Sequence, residues 1–149
     1  MMRLAIATAV LCASCATKPP TTADLLLGSW TCESKPSFGT IKATTTYSPD
    51  GKAKAQISVA GSGGALAVEA AGDVEATWKL VEEDAKIEQS IAGVTITSAK
   101  LNGQDVDPGM AQAMIAPYLA GQSATSAVKV DKTSLTLTSA DSVVTACSR

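Results

Sequence analysis

The chain has 149 residues, with 12 basic and 14 acidic side chains, four cysteines and no histidine; 17% of residues are charged and 3% aromatic. That length holds one domain plus a short leader, and a net charge of −2 with a pI near 5 argues against a nucleic-acid partner, because phosphate binding needs a basic face. Without histidine the commonest general base and the commonest zinc ligand are missing, so no catalytic residue, metal or other cofactor is expected.

The chain opens with Met1-Met2-Arg3 and the apolar run from Leu4 to Leu11. This run is too short to cross a membrane, which takes about 20 apolar residues. A cationic start before a short apolar run is the layout of a signal peptide. Ala13-Ser14-Cys15 resembles the end of a bacterial lipobox, with Cys12 where a large aliphatic residue is usual. On that reading residues 1–14 are the signal peptide, Cys15 is lipidated (with palmitate among its acyl chains), and residues 15–23 are the lipidated Cys and its tether. The stretch from Ala16 to Thr22 is small, polar and Pro-containing, as a tether should be. The alternative is a soluble periplasmic protein cleaved after Ala16. A redox or metal role for Cys12 and Cys15 is disfavoured, because the motif lies inside a leader. Ala16 after Cys15, by similarity to Gram-negative lipoproteins, implies sorting to the outer membrane.

Residues 24–149 read as one domain. Thr22 to Gly28 predicts a helical turn with a polar start and a Gly stop. From there alternation with a period of two dominates, the mark of half-buried strands. Trp30, Cys32 and Ser34 share a face. Ile41, Ala43, Thr45 and Tyr47 share the next, and Ser48-Pro49-Asp50-Gly51 predicts a turn. Ala53, Ala55, Ile57 and Val59 form the return strand. Gly61-Ser62-Gly63-Gly64 reads as a flexible turn, without the Walker spacing of a phosphate loop. Strands are expected over Ala65 to Ala71, along Val74, Ala76, Trp78 and Leu80, and along Ile87, Gln89 and Ile91. The acidic run Glu82-Glu83-Asp84 is read as a solvated turn. Gly93 suggests a bulge, with a further strand through Val94 to Thr97. The chain ends in strands carrying Val128 and Val130, Leu135 and Leu137, and Val143, Thr145 and Cys147.

One longer helix interrupts the strands near 107–120. Asp107 suits the N-cap, Pro108 the first position and Gly121 the stop, while Pro117 should disturb the last turn. Met110, Met114 and Tyr118 recur at four-residue spacing. They are candidates for a ligand entrance, since Met adapts to varied apolar surfaces; the alternative is that they seal one end of the core.

Roughly eight to ten antiparallel strands must curl, split or close. Closure removes exposed edges, so the expected fold is all-β: a small, mostly up-and-down antiparallel barrel. Cys32 lies in the first strand and Cys147 in the last, and these are neighbours in a closed barrel. An exported domain keeps disulfides, so a Cys32–Cys147 bond is predicted. A catalytic thiol would need an activating base that the sequence lacks.

Gly28-Ser29-Trp30 after a helical turn resembles the Gly-x-Trp start of lipocalins and their calycin relatives. The remainder, including Tyr47 to Gly51 and Trp78, is similar to small bacterial lipocalin-like lipoproteins of unassigned function. The resemblance implies that Trp30 closes one barrel end and that Arg149, the only arginine after the leader, packs on it. Two roles then compete. One is a structural or protein-interaction envelope lipoprotein, including an inhibitor of an envelope protein. The other is a barrel that binds a small apolar ligand or lipid, with the small inward residues Ala43, Ala53, Ala55, Ala76 and Ser126 leaving space. The expected partners are therefore the membrane, through the N-terminal lipid, and either a small apolar ligand or an envelope protein.

Overall fold

The computed structural model describes residues 18–149. The signal peptide, Cys12, Cys15 and the start of the tether lie outside the described residues. Helix α1 (Thr22–Leu26) is followed by strands β1 (Gly28–Ser34), β2 (Gly39–Tyr47), β3 (Lys52–Gly63), β4 (Leu66–Val81), β5 (Lys86–Leu101) and β6 (Gln104–Val106). Helix α2 (Pro108–Leu119) then leads into β7 (Ser123–Val130), β8 (Ser134–Ser139) and β9 (Val144–Ser148). Eight strands form a closed ring in the order β1-β2-β3-β4-β5-β7-β8-β9, and β9 returns to β1. Every junction is antiparallel, and β6 hangs on β5 outside the ring. The fold is thus the all-β, up-and-down barrel that the alternation predicts.

The alternation also sets which side chains enter the ring. Trp30, Cys32, Tyr47, Ala53, Ile87, Val128, Leu135, Leu137 and Cys147 are buried together with Leu26 of α1. Trp30, Leu26, Ile87 and Leu135 are fully enclosed. Burying a side chain of this size stabilises by roughly 1.5–3 kcal/mol, so this end of the barrel is a solid plug. Trp78 meets Tyr47 edge-on, with centroids 5.7 Å apart. Its Nε1 donates to the carbonyls of Ser48 and Lys52, 3.1 Å from each, which ties the predicted Ser48–Gly51 turn to β4.

The long strands differ from the sequence reading. The segments expected as separate strands, to Ala71 and from Val74, form one strand of 16 residues, Leu66–Val81, and so do the segments on either side of Gly93. The Gly61-Ser62-Gly63 segment is the end of β3 and not a turn. Two register shifts between β4 and β5 leave Ala92 and Thr97 as extra residues. Each shift resets the parity of β5, so Ile87 and Ile91 lie on the same face as Val94 and Ile96. The bulge foreseen at Gly93 therefore lies beside it. Gly72, buried at the second shift, admits no side chain, because a Cβ there would overlap the Thr95 carbonyl.

The ring is deep on one side only. β5 pairs with β7 over five residues, Lys86 to Ser90, and then outruns it. The exposed edge above is covered by α2. Gln112 acts there as a surrogate strand peptide: its Oε1 accepts from Ile96 N–H and its Nε2 donates to the Val94 carbonyl, both at 2.6 Å. This satisfies backbone groups that would otherwise form an open sheet edge. α2 starts as predicted, with Pro108 at its first turn and the Asp107 carboxylate accepting from Met110 N–H at 3.0 Å. It continues through Pro117 to Leu119.

Candidate functional site

The closed end of the barrel gathers the residues singled out as a barrel-closing motif. α1 is held by a capping box: Thr21 Oγ1 accepts from Asp24 N–H, and the Asp24 carboxylate accepts from Thr21 N–H. The latter bond keeps the Asp24 carboxyl below its ordinary pKa. Trp30 lies under this turn and donates from Nε1 to the Leu26 carbonyl at 2.8 Å. Arg149 covers the indole from outside, its guanidinium carbon 4.1 Å from the ring centroid. Its nitrogens donate to the carbonyls of Leu27 (2.6 Å), Leu25 (3.0 Å) and Lys132 (2.9 Å). The C-terminal residue thereby supplies donors to the carbonyls that α1 leaves open. Gly28 has φ of +102°, a conformation that side chains disfavour, and lies against Arg149 Nη1. Gly28, Trp30 and Arg149 are thus brought together.

Cys32 and Cys147 face one another across β1 and β9 and are joined by a disulfide with S–S 2.08 Å. Both are buried, so the bond belongs to the plug. It is a structural element and not a reacting thiol.

The opposite half of the barrel is different. Above the plug the inward residues become small, and a cleft of about 360 Å³ opens inside the ring. Ala53, Ala55, Val74, Ala76 and Ile91 form its apolar wall, and Thr45, Gln89, Gln122, Ser123 and Ala124 form its remaining lining. No charged side chain lines it. The Tyr47–Trp78 pair belongs to the plug and is joined to the cleft lining through Gln89. Gln89 Nε2 donates to Tyr47 Oη at 3.1 Å, and burial pushes the Tyr47 phenol up to about 12. Tyr47 is accordingly a neutral hydrogen-bonding group across the physiological range. Larger depressions, of about 430 and 560 Å³, lie between strands and are lined by outward residues such as Lys42, Ser58 and Lys100, or Glu33 and Gln56. These are twists of a solvated surface, so the interior cleft is the stronger candidate.

The inward alanines Ala53, Ala55 and Ala76 were legible as space-leaving residues; Gln89, Gln122 and Thr45 were not singled out. A polar residue within an otherwise apolar alternating face, as at Gln89 between Ile87 and Ile91, is the signal that marks it. The Met110–Met114–Tyr118 stripe lies on the outer side of α2. It neither lines the cleft nor seals the core: the three are 60%, 66% and 77% exposed. Ala111, Ile115 and Leu119, one residue further on, pack on Val94, Ile96, Val74 and Ile91. The sequence shows apolar residues all round this helix, so periodicity alone could not choose the buried face.

Among the described residues, no group of three acidic, Cys or His side chains is arranged to hold a metal, and no helix is long and apolar enough to cross a membrane. Compared with protein-family models and with curated proteins, the chain matches none.

Proposed function

We propose that the protein is a lipid-anchored envelope protein that holds one small, uncharged, mainly apolar molecule in the upper half of its barrel. The observation that carries this reading is the interior cleft. An eight-stranded ring is just wide enough either to be filled by side chains or to hold one small ligand. Here the ring is filled by side chains at one end and leaves an open cleft at the other. The volume sits at the small end of the roughly 300–1,000 Å³ typical of ligand sites. A wall of Ala, Val and Ile suits an alkyl or isoprenoid-like body. The neutral Gln89, Gln122 and Thr45 side chains suit a hydroxyl, ester or amide, and the lack of a nearby charge disfavours a free carboxylate or amine.

Anchoring at Cys15, export and kinship with lipocalin-like lipoproteins belong to the same proposal. Their support is the leader pattern, the tether, and the Trp30–Arg149 closure. With α1 at the closed end, a tether from Cys15 would hold that end towards the membrane and leave the cleft turned away from it. An interaction role, the competing reading, draws support from the exposed face of α2.

The test is native purification from the envelope followed by mass spectrometry of the released small molecules, for the natural chain and for Ala55→Phe. Ala55 is half-buried on the cleft wall, so Phe there fills the space. A neutral molecule present near one per chain, and lost in A55F while the fold persists, is the expected result. An empty natural chain that also fails to take up a neutral fluorescent lipid probe would refute the ligand reading. For the anchor, Cys15→Ser should move the protein from the membrane to the soluble fraction; unchanged fractionation ends that part.

A further inference from the structure

We infer that Gln89 selects the ligand of the cleft, by accepting a hydrogen bond from a neutral donor, a hydroxyl or an amide N–H, at the head of an otherwise apolar molecule. This rests on the binding role proposed for the cleft and narrows its ligand class, setting esters and other acceptor-only heads aside.

The register places Gln89 at the lowest level of the cleft. Its partner on β4 is Trp78, which belongs to the plug, and two residues further along β5 Ile91 faces Ala76. One step higher, Val74 faces Ala55. The wall above Gln89 is therefore apolar. A polar group at the bottom and an apolar wall above it set a direction. The head of the ligand lies against Gln89, and its body runs up along Ala55, Val74 and Ile91.

The plug orients the Gln89 amide. Nε2 donates to Tyr47 Oη at 3.1 Å. Tyr47 is buried and packed edge-on against Trp78, so it is a fixed acceptor. With Nε2 turned to Tyr47, Oε1 is turned away from it. Among the described residues this is the one hydrogen bond of the Gln89 side chain. No side-chain oxygen or nitrogen among them is both buried and unpartnered, so Oε1 keeps an open surface, and the inward side chain presents it to the cleft. Other polar lining groups are already served: Ser123 is bonded to Ser90 through the two hydroxyls, and Gln122 is exposed. A ligand that covers Oε1 with carbon takes away its water and returns nothing, and an acceptor left unpaired costs more than an ordinary hydrogen bond gains. A head that donates restores the partner. A site built this way rejects an analogue lacking the donor more strongly than an apolar pocket rejects one of the wrong size. A charged ammonium would also donate, but no carboxylate lines the cleft to offset the loss of its hydration.

The test is competition on the purified full chain, stripped of any co-purified molecule, with uptake of the neutral fluorophore N-phenyl-naphthylamine as the signal. Decanol, decanamide and methyl decanoate share an alkyl chain and differ at the head. Decanol and decanamide are expected to bind about tenfold more tightly than methyl decanoate. Gln89→Leu keeps the bulk and drops the acceptor, so the preference should vanish there; Gln89→Met is a second variant of the same kind. Tyr47→Phe frees the amide to turn and should shrink the preference without a comparable loss of fluorophore uptake; an unchanged preference there overturns the orienting role of Tyr47. Equal binding of all three molecules overturns the selection by Gln89 while the cleft stands. So does a preference that survives in both Gln89 variants, or a preference for the ester, which would mean that the amide faces the other way. A chain that takes up neither the fluorophore nor any of the three fails at the cleft itself, and the role of Gln89 falls with it.

Discussion

Breaking the Cys32–Cys147 bond should weaken the domain without changing its fold, and the size of the loss can be worked from the topology. The bond joins β1 to β9, the junction that closes the ring, where only four residue pairs are in register. The two cysteines are 115 residues apart. On the loop-entropy account, releasing a loop of that length frees about 5 kcal/mol of unfolded-chain entropy. A domain of this size has a total stability of roughly 5–15 kcal/mol, so the loss takes a third or more of it. Reduction removes no atoms, so it isolates the loop effect; Cys32→Ala with Cys147→Ala adds a small cavity beside Leu135. Guanidinium unfolding can be followed by the fluorescence of Trp30 and Trp78, which are both in the packed end. With a denaturant slope of about 3–5 kcal/mol per molar, reduction should lower the midpoint by roughly 1–1.5 M. Free thiols confirmed by mass, together with a midpoint shift below about 0.3 M, would refute the argument. It would mean that the unfolded chain does not gain the expected freedom, or that the strands alone hold the seam.

Two further outcomes follow from the closed end and from the buried Tyr47. Arg149→Lys keeps the charge but loses the fork that reaches Leu25, Leu27 and Lys132; a loss of about 1–3 kcal/mol is expected, with faster amide exchange confined to α1 and the start of β1, and unaltered exchange there would contradict the assigned role. Tyr47 ionises near 12 in the fold against an ordinary value near 10, so the folded chain holds the proton more tightly than the unfolded one. Its contribution is complete below pH 10 and declines as pH rises from 10 to 12, by about 2–3 kcal/mol. Comparing denaturant midpoints of the natural chain and Tyr47→Phe across that range checks it: the difference should change with pH only above 10.

Much of this architecture was open to a reader of the sequence, because a strand's two faces are set by a local period. The side of Trp30, Cys32, Tyr47, Ala53, Ile87 and Leu135 is written in the alternation, and so are the Ser48–Gly51 turn and the Asp107 cap. Ring closure followed from the strand count, and closure paired Cys32 with Cys147. Other features depend on contacts between distant segments. The two shifts in β5 restore its parity only against β4: Gly93 hinted at the first without naming Ala92 as the extra residue, and Thr97 shows no local sign of being extra. The buried face of α2 is chosen by the fit of Ala111, Ile115 and Leu119 to β5, and by Gln112 reaching the unpaired edge; a helix apolar all round carries no period to reveal it. The cleft likewise depends on tertiary structure, because an inward alanine leaves space only where no neighbour fills it. Near Trp30 and Leu26 the ring is filled, and beside Ala55 and Ala76 it is not. The sequence by itself determined the barrel and its seam, through local periodicity and pairing; the closed end was implied only by the Gly-x-Trp resemblance. Only the tertiary structure decided where the interior stays open and which face of α2 meets the solvent, because both depend on how distant side chains fill shared space.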